Sequence, residues 1–330
     1  MADSLCLRAE TYQNEWSTPL NSGGNVFSCC VAVILLVYVV ITRKKKVSAM
    51  HFNFKIIVYN IWWIVFFYLT STIIAYCYDL YLQHTSSPCQ NTYIVWQCLA
   101  FRWPIALGSC SMNFFHFAVF FERTAATRLF RQYEMGCKLL GVIVLIVTWL
   151  TVLTIFFYVY RQDDYSAVLP VCSVTQAVNE RRIQNMAYFM LTVNLLVAAG
   201  EIYLWKVNRC KVKTRINNHY SLAISYQKTE NYLTSVLVLP ISITHSILYM
   251  SYLTTAQVIR YFVSAEETPV LHVTLLTLAH QIIYIDIVVC LLLYIYISRR
   301  VEEERKVREI RMKHGFRTEM YFDMLRRQLQ

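Results

Sequence analysis

Residues 94–134 read IVWQCLAFRWPIALGSCSMNFFHFAVFFERTAATRLFRQYE. An apolar segment carries polar residues at helical spacing and stops abruptly at Glu122-Arg123. Arg102, Ala106, Ser109, Asn113, His116 and Phe120 recur in steps of three and four, which places them on one helix face. At 1.5 Å per residue, Arg102 to Arg123 spans about 31 Å, close to the hydrocarbon thickness of a bilayer. The stretch reads as a membrane-crossing helix with one polar stripe and a charged pair at one mouth. Small and polar residues also serve packing in any helix bundle, so the stripe alone does not define a function.

Composition agrees with a membrane setting. The chain has 330 residues, 57% hydrophobic and only 15% charged, too apolar for a soluble protein of this size. The net charge of +11 would suggest nucleic acid in a soluble chain, but the basic residues lie in the gaps between apolar runs. No nucleic-acid partner is expected. Of eleven cysteines, Cys29, Cys30, Cys110 and Cys290 fall inside apolar runs, where Cys acts as a small apolar residue. With no CxxC pair or zinc-spaced Cys/His cluster, neither a metal nor a cofactor is expected.

Seven apolar runs of spanning length follow one another, at about 25–43, 54–79, 94–122, 137–160, 186–208, 232–255 and 271–298. Pro104 interrupts the third and Pro240 the sixth, as membrane helices tolerate. The first run lacks a small-residue cleavage site before Arg43-Lys44-Lys45-Lys46 and reads as an uncleaved signal anchor. Lys and Arg are unequally shared: 25 of 31 lie in the first, third and fifth gaps and the tail from Arg299. The other face has Arg8, Arg161, Arg181, Arg182 and Arg260, with Arg102 inside a helix. The positive-inside rule then puts the C-terminus in the cytosol and the N-terminus outside. The expected fold is an all-α seven-transmembrane bundle over 25–298, with an extracellular segment 1–24 and a basic cytosolic tail 299–330. The tail suits a helix at an anionic lipid surface or a solvated one, and Gly315 is expected to break it in two.

Catalysis finds no support. His116, His245, His280, Glu201 and Asp286 lie in the helices, in no spacing that makes a nucleophile, metal pair or carboxylate dyad. There is no HExxH, GxSxG or phosphate-cradling glycine loop, so the chain does not read as an enzyme. Repeated halves with broken helices, the mark of many transporters, are also missing. A receptor is the reading that remains, with a seven-helix ligand-gated channel or transporter as the alternative. Seven-helix chemoreceptor channels of the insect type put the N-terminus inside, against the charge count. At the inner mouth, Glu122 can hold Arg123 in one state and release it in another. An ordinary basic flank explains the Arg but not its acidic neighbour.

Here a specific resemblance enters. Glu122-Arg123-Thr124-Ala125-Ala126-Thr127, followed by Tyr133-Glu134, resembles the ERTxAT…YE signature of nematode serpentine chemoreceptors of the Sra superfamily. Tyr78-Asp79-Leu80, Cys89, Cys98 and Arg102 are similar to the group's first-outer-loop pattern, and Tyr321-Phe322-Asp323-Met324-Leu325 to its YFxxL tail. Ser225-Tyr226-Gln227-Lys228-Thr229-Glu230-Asn231 resembles its RYQxxEN box, with serine where arginine is the rule. The likeness is strongest to the alpha/beta (Srab) class. It implies a G-protein-coupled receptor for an environmental small molecule, in the plasma membrane of a sensory neuron and its cilium, with a heterotrimeric G protein as partner. Within it Arg123 would be the switch arginine and Glu122 its resting partner, and placement adds Glu230 as a second partner.

Cysteine positions fit the same topology. Cys98 precedes Arg123 by the 25 residues that rhodopsin-like receptors place between a bridging cysteine and the switch arginine, and Cys172 sits in the loop where its partner belongs. Cys98–Cys172 is expected, with Cys89–Cys172 as the alternative. Depth places Arg102, Trp103, Ser109, Asn113, Tyr188, Tyr249, His272 and His280 in the outer half as candidate ligand contacts. Arg102 could meet an acidic or polar ligand, pair with Asp79 or reach the surface, and the pairing is favoured. Asp286 could hold a cation or water, or be a hydrogen-bonded carboxylate, the latter favoured. The oligomeric state is not readable.

Overall fold

Within a bilayer every backbone polar group must pair internally, so long apolar runs fold as helices. The computed structural model describes residues 2–15, 17–48, 51–85, 87, 92–128, 138–169, 171–173, 175, 178–213, 222–264 and 267–328. Among them the helices are α1 (Ala2–Asn14), α2 (Ser17–Ser48), α3 (Phe52–Thr85), α4 (Val95–Arg128), α5 (Lys138–Tyr160), α6 (Glu180–Lys213), α7 (Leu222–Phe262), α8 (Pro269–Ala279) and α9 (Gln281–Gln328). Seven segments among the described residues are long and apolar enough to cross a membrane: Ser17–Arg43, Phe52–Thr85, Val95–Arg128, Leu139–Tyr160, Glu180–Cys210, Asn231–Phe262 and Pro269–Glu304. The last joins α8 to the start of α9.

Among the described residues the fold departs from all-helix in one place. Strands β1 (Tyr93–Ile94) and β2 (Val168–Leu169) pair antiparallel, Tyr93 opposite Leu169 and Ile94 opposite Val168. The first N–H groups of a helix have no partner within it. At the start of α4 the loop before α6 supplies them: Val95 donates to the Ala167 carbonyl at 2.9 Å and Trp96 to that of Tyr165 at 3.2 Å.

The quoted stretch is the central helix. Of the most apolar window of α4, 67% is buried, against at most 44% for any other span. It packs against α3, α5, α6 and α7, while α2 closes the ring between α3 and α9. In lipid such association relies on close packing. At Gly141 of α5 an added Cβ would lie 2.7 Å from Asn53 Cα of α3, and the Gly141 N–H donates to Asn53 Oδ1 at 3.2 Å.

Three boundaries differ from the sequence reading. The first membrane helix begins at Ser17 rather than 25. Its polar residues bond to the seventh span: Asn21 donates to the Thr274 carbonyl at 3.2 Å, Gln281 to Asn25 Oδ1 at 2.5 Å and Ser28 to Gln281 at 3.2 Å. The seventh span is divided at His280, where α8 ends in right-handed backbone and Ile283 picks up the His280 carbonyl at 3.0 Å. Gly315 does not break the tail, since α9 runs through it to Gln328. Glycine costs a helix interior about 1 kcal/mol, which the Arg, Lys, Met and Glu around it offset.

Candidate functional site

A cavity of about 130 Å³ opens at the end of the bundle where Cys98 is bonded to Cys172, their Cα atoms 5.3 Å apart. That bond, with Cys98 in the first turn of α4 and Cys172 in the loop between α5 and α6, excludes the alternative Cys89–Cys172 pairing; Cys89 itself lies outside the described residues. Cys172, Ser173 and Thr175 line the cavity, so the loop forms one of its walls. The loop is held at a second point by Asp163, which accepts from Asn179 at 2.9 Å and faces Arg182 at 3.6 Å. Burial raises the Asp163 carboxyl pKa, and the Asn179 and Arg182 contacts only partly offset it.

Arg102 lines the same cavity but is already engaged. Its Nη2 donates to Asp79 Oδ2 of α3, and both side chains are buried. Tyr93 adds a hydrogen bond to Asp79 at 3.4 Å, and the Arg102 guanidinium stands 4.8 Å from the Tyr76 ring centre. The pairing settles the intramembrane charge as a tie between two helices.

At the opposite end of α4 the second pair is formed by neighbours in sequence. Arg123 Nε and Nη2 each donate to a Glu122 oxygen at 2.5 Å, and Glu122 is wholly buried. The Arg123 guanidinium also stacks 4.4 Å from the Phe54 ring centre of α3. Glu201 of α6 is buried within electrostatic reach of both, with Oε1 lacking a hydrogen-bond partner. Asn208 of α6 donates to Thr127 at 3.2 Å and to Ser235 at 2.9 Å, and Asn231 to the Ala126 carbonyl at 3.1 Å. These bonds tie α4, α6 and α7 together at this end.

A family profile described as serpentine type 7TM GPCR receptor class ab chemoreceptor matches residues 12–330. The chain belongs to that family. Two Caenorhabditis elegans proteins are similar to it. Serpentine receptor class beta-17 is 25% identical over 228 residues, which cover 67% of this chain and 62% of the relative. Serpentine receptor class alpha-39 is 23% identical over 181 residues, which cover 53% of this chain and 47% of the relative. The matches thus span about half to three-fifths of these relatives. Family and apolar helices together make the chain a multi-pass membrane protein of the serpentine chemoreceptor kind.

In this class ab receptor the sequence-read ligand candidates divide. Arg102, Ser109, Tyr249 and His280 line the cavity. The Tyr249 hydroxyl donates to the Ser109 carbonyl at 2.9 Å. His280 Nδ1 donates to the Leu276 carbonyl at 2.7 Å, which leaves Nε2 to accept from Tyr252 at 3.3 Å. The other four stand elsewhere. Trp103 packs among Phe156, Tyr160 and Tyr165, and Asn113 accepts from Asn194 of α6 at 3.1 Å. Tyr188 is 57% exposed, on the outside of the bundle. His272 is buried, its Nδ1 donating to the Val263 carbonyl at 2.7 Å. The side chain of Glu230 lies outside the described residues.

Two features escaped the sequence reading. Arg260, counted there only as a flanking charge, lines the cavity with Tyr160 and Tyr252. Deeper in the class ab bundle, His245 donates through Nδ1 to Asp286 at 2.7 Å, and Cys290 donates to Asp286 at 3.3 Å. Donor atoms of these three lie within 4.8 Å of one another, the described group whose geometry could close on a metal ion. They face a second cavity of about 200 Å³ with His116, which bonds Ser242 at 2.5 Å. Asp286 and Cys290 are four apart on one helix face, a readable pattern. His245 comes from another helix, so nothing local announces it.

Proposed function

We propose that this chain is a G-protein-coupled chemosensory receptor. The disulfide end faces outward and takes an environmental small molecule in its cavity, and the Glu122–Arg123 end faces the cytosol and meets a heterotrimeric G protein. The observation that carries the reading is one helix, α4, with a roofed cavity at its disulfide end and a buried carboxylate–guanidinium pair at the other. Ligand binding at Arg102, Ser109, Tyr249 and His280 bears on the helices whose far ends surround Arg123. Activation exchanges the Glu122 contact of Arg123 for contacts to the G protein, because a guanidinium stays charged and can reach backbone carbonyls. The orientation follows the Lys and Arg count, 25 of 31 on the Glu122–Arg123 side, which also favours anionic lipid along the tail. The receptor belongs in the plasma membrane, at a sensory-neuron cilium.

The test is a ligand screen in cells coexpressing candidate G proteins, with Arg123→Ala as control and an epitope tag at Met1. A ligand-dependent response lost in Arg123→Ala, with the tag accessible on intact cells, is expected. Intact signalling by Arg123→Ala removes the switch role, and a tag reached only after permeabilisation removes the orientation.

A further inference from the structure

The inference rests on reading the disulfide-end cavity as a ligand site, and it concerns the chemical class of ligand. Two guanidinium groups line that cavity and differ in one respect. Arg102 is neutralised by Asp79. Arg260, in the last turn of α7, makes no ion pair or hydrogen bond among the described residues, and its Nε is buried without a partner. Glu180, the carboxylate that acts on it at longer range, forms no ion pair with it. Arg260 as a whole is half-buried, and a guest that displaces water from beside it makes an unpaired charge costly, so the occupied cavity calls for a negative group there. The planar fork of a guanidinium matches a carboxylate through two parallel hydrogen bonds.

The rest of the wall defines the remainder of the ligand. Ile183, Met186 and Met190 of α6, Leu253 of α7, and Val273 and Leu276 of α8 present an apolar lining. Methionine adapts to irregular apolar shapes. A volume of about 130 Å³ limits the guest to a small molecule. We propose that the cavity binds a small organic carboxylate, its charged group on Arg260 and its apolar body against the methionines and aliphatic side chains. The anion-binding role open to Arg102 on sequence grounds thereby passes to Arg260.

Thermal unfolding of the purified full chain in detergent tests this, with hexanoate, octanoate and decanoate each compared with its primary amide. At least one acid is expected to raise the unfolding midpoint saturably, with its amide about tenfold weaker or worse. Arg260→Gln removes the difference between acid and amide, Arg260→Lys keeps part of it, and Arg161→Gln, an exposed charge in the loop between α5 and α6, leaves it unchanged. Acids and amides binding alike, no acid shifting the midpoint, or an unchanged preference in Arg260→Gln each overturns the proposal. If Arg260→Gln does not fold, the acid–amide contrast in the unsubstituted chain and in Arg260→Lys decides. The readout does not involve a G protein, so failure of coupling leaves the acid preference intact. Signalling by a neutral ligand without any acid preference overturns the carboxylate and leaves the receptor reading standing.

Discussion

The two charged pairs on α4 differ in what they join. Arg102 reaches across to Asp79 on α3, so the pair ties two helices beside the cavity. Arg123 turns back onto Glu122, its own neighbour, so the salt bridge itself joins nothing beyond one turn of one helix. Adjacent residues on a helix do not naturally face each other, so this second arrangement takes both side chains away from their outward directions. With Glu201 nearby on α6, the Arg123 charge has a second carboxylate within electrostatic reach. One end of the helix is built to stay, and the other has an alternative.

Three substitutions break or sharpen that contrast. The largest effect is expected at Asp79→Asn, which strands the buried Arg102 charge and costs about 3–5 kcal/mol, while Asp79→Asn/Arg102→Gln recovers most of it. Unfolding midpoints and surface expression of the singles and the double measure this, and a double no better than Asp79→Asn contradicts the tie. Next is Gly141→Ala, which drives a methyl into the α3 backbone beside Phe54, the ring that supports Arg123. A loss of about 1–3 kcal/mol is expected from the overpacking, against none at Gly23, where an added Cβ meets open space. The smallest is Glu122→Gln, at about 1–2 kcal/mol, because Glu201 can take over the guanidinium. Glu122→Gln/Glu201→Gln should then cost as much as Asp79→Asn; if Glu122→Gln alone already does, the two ends are energetically alike.

The seven spans were legible because a span is a local property: length, hydropathy and flanking charge lie within one stretch of chain. Arg102 with Asp79 was also legible as a favoured option, since a membrane charge demands a partner and Asp79 stood at the matching depth. What local reading misses is polar groups that bond to another helix. Asn21 and Asn25 look too polar for a span until Thr274 and Gln281 meet them. The division at His280 has no Gly or Pro to mark it. His272 and Tyr188 were placed by depth, which says nothing about rotation, so one lies buried on a carbonyl and the other on the outer surface. Rotation also explains why Arg260 was passed over: its neighbours in sequence place it near a boundary, and only the fold turns it inward.

The division at His280 has a mechanical side. From that point α9 runs for 48 residues without a break, a rod of about 72 Å at 1.5 Å per residue. His280 is both a cavity wall and the place where this rod begins. A tilt of about five degrees there sweeps the far tip through about 6 Å on the same rise per residue. The histidine joins two arms of very different length, and the short one, α8, borders the cavity.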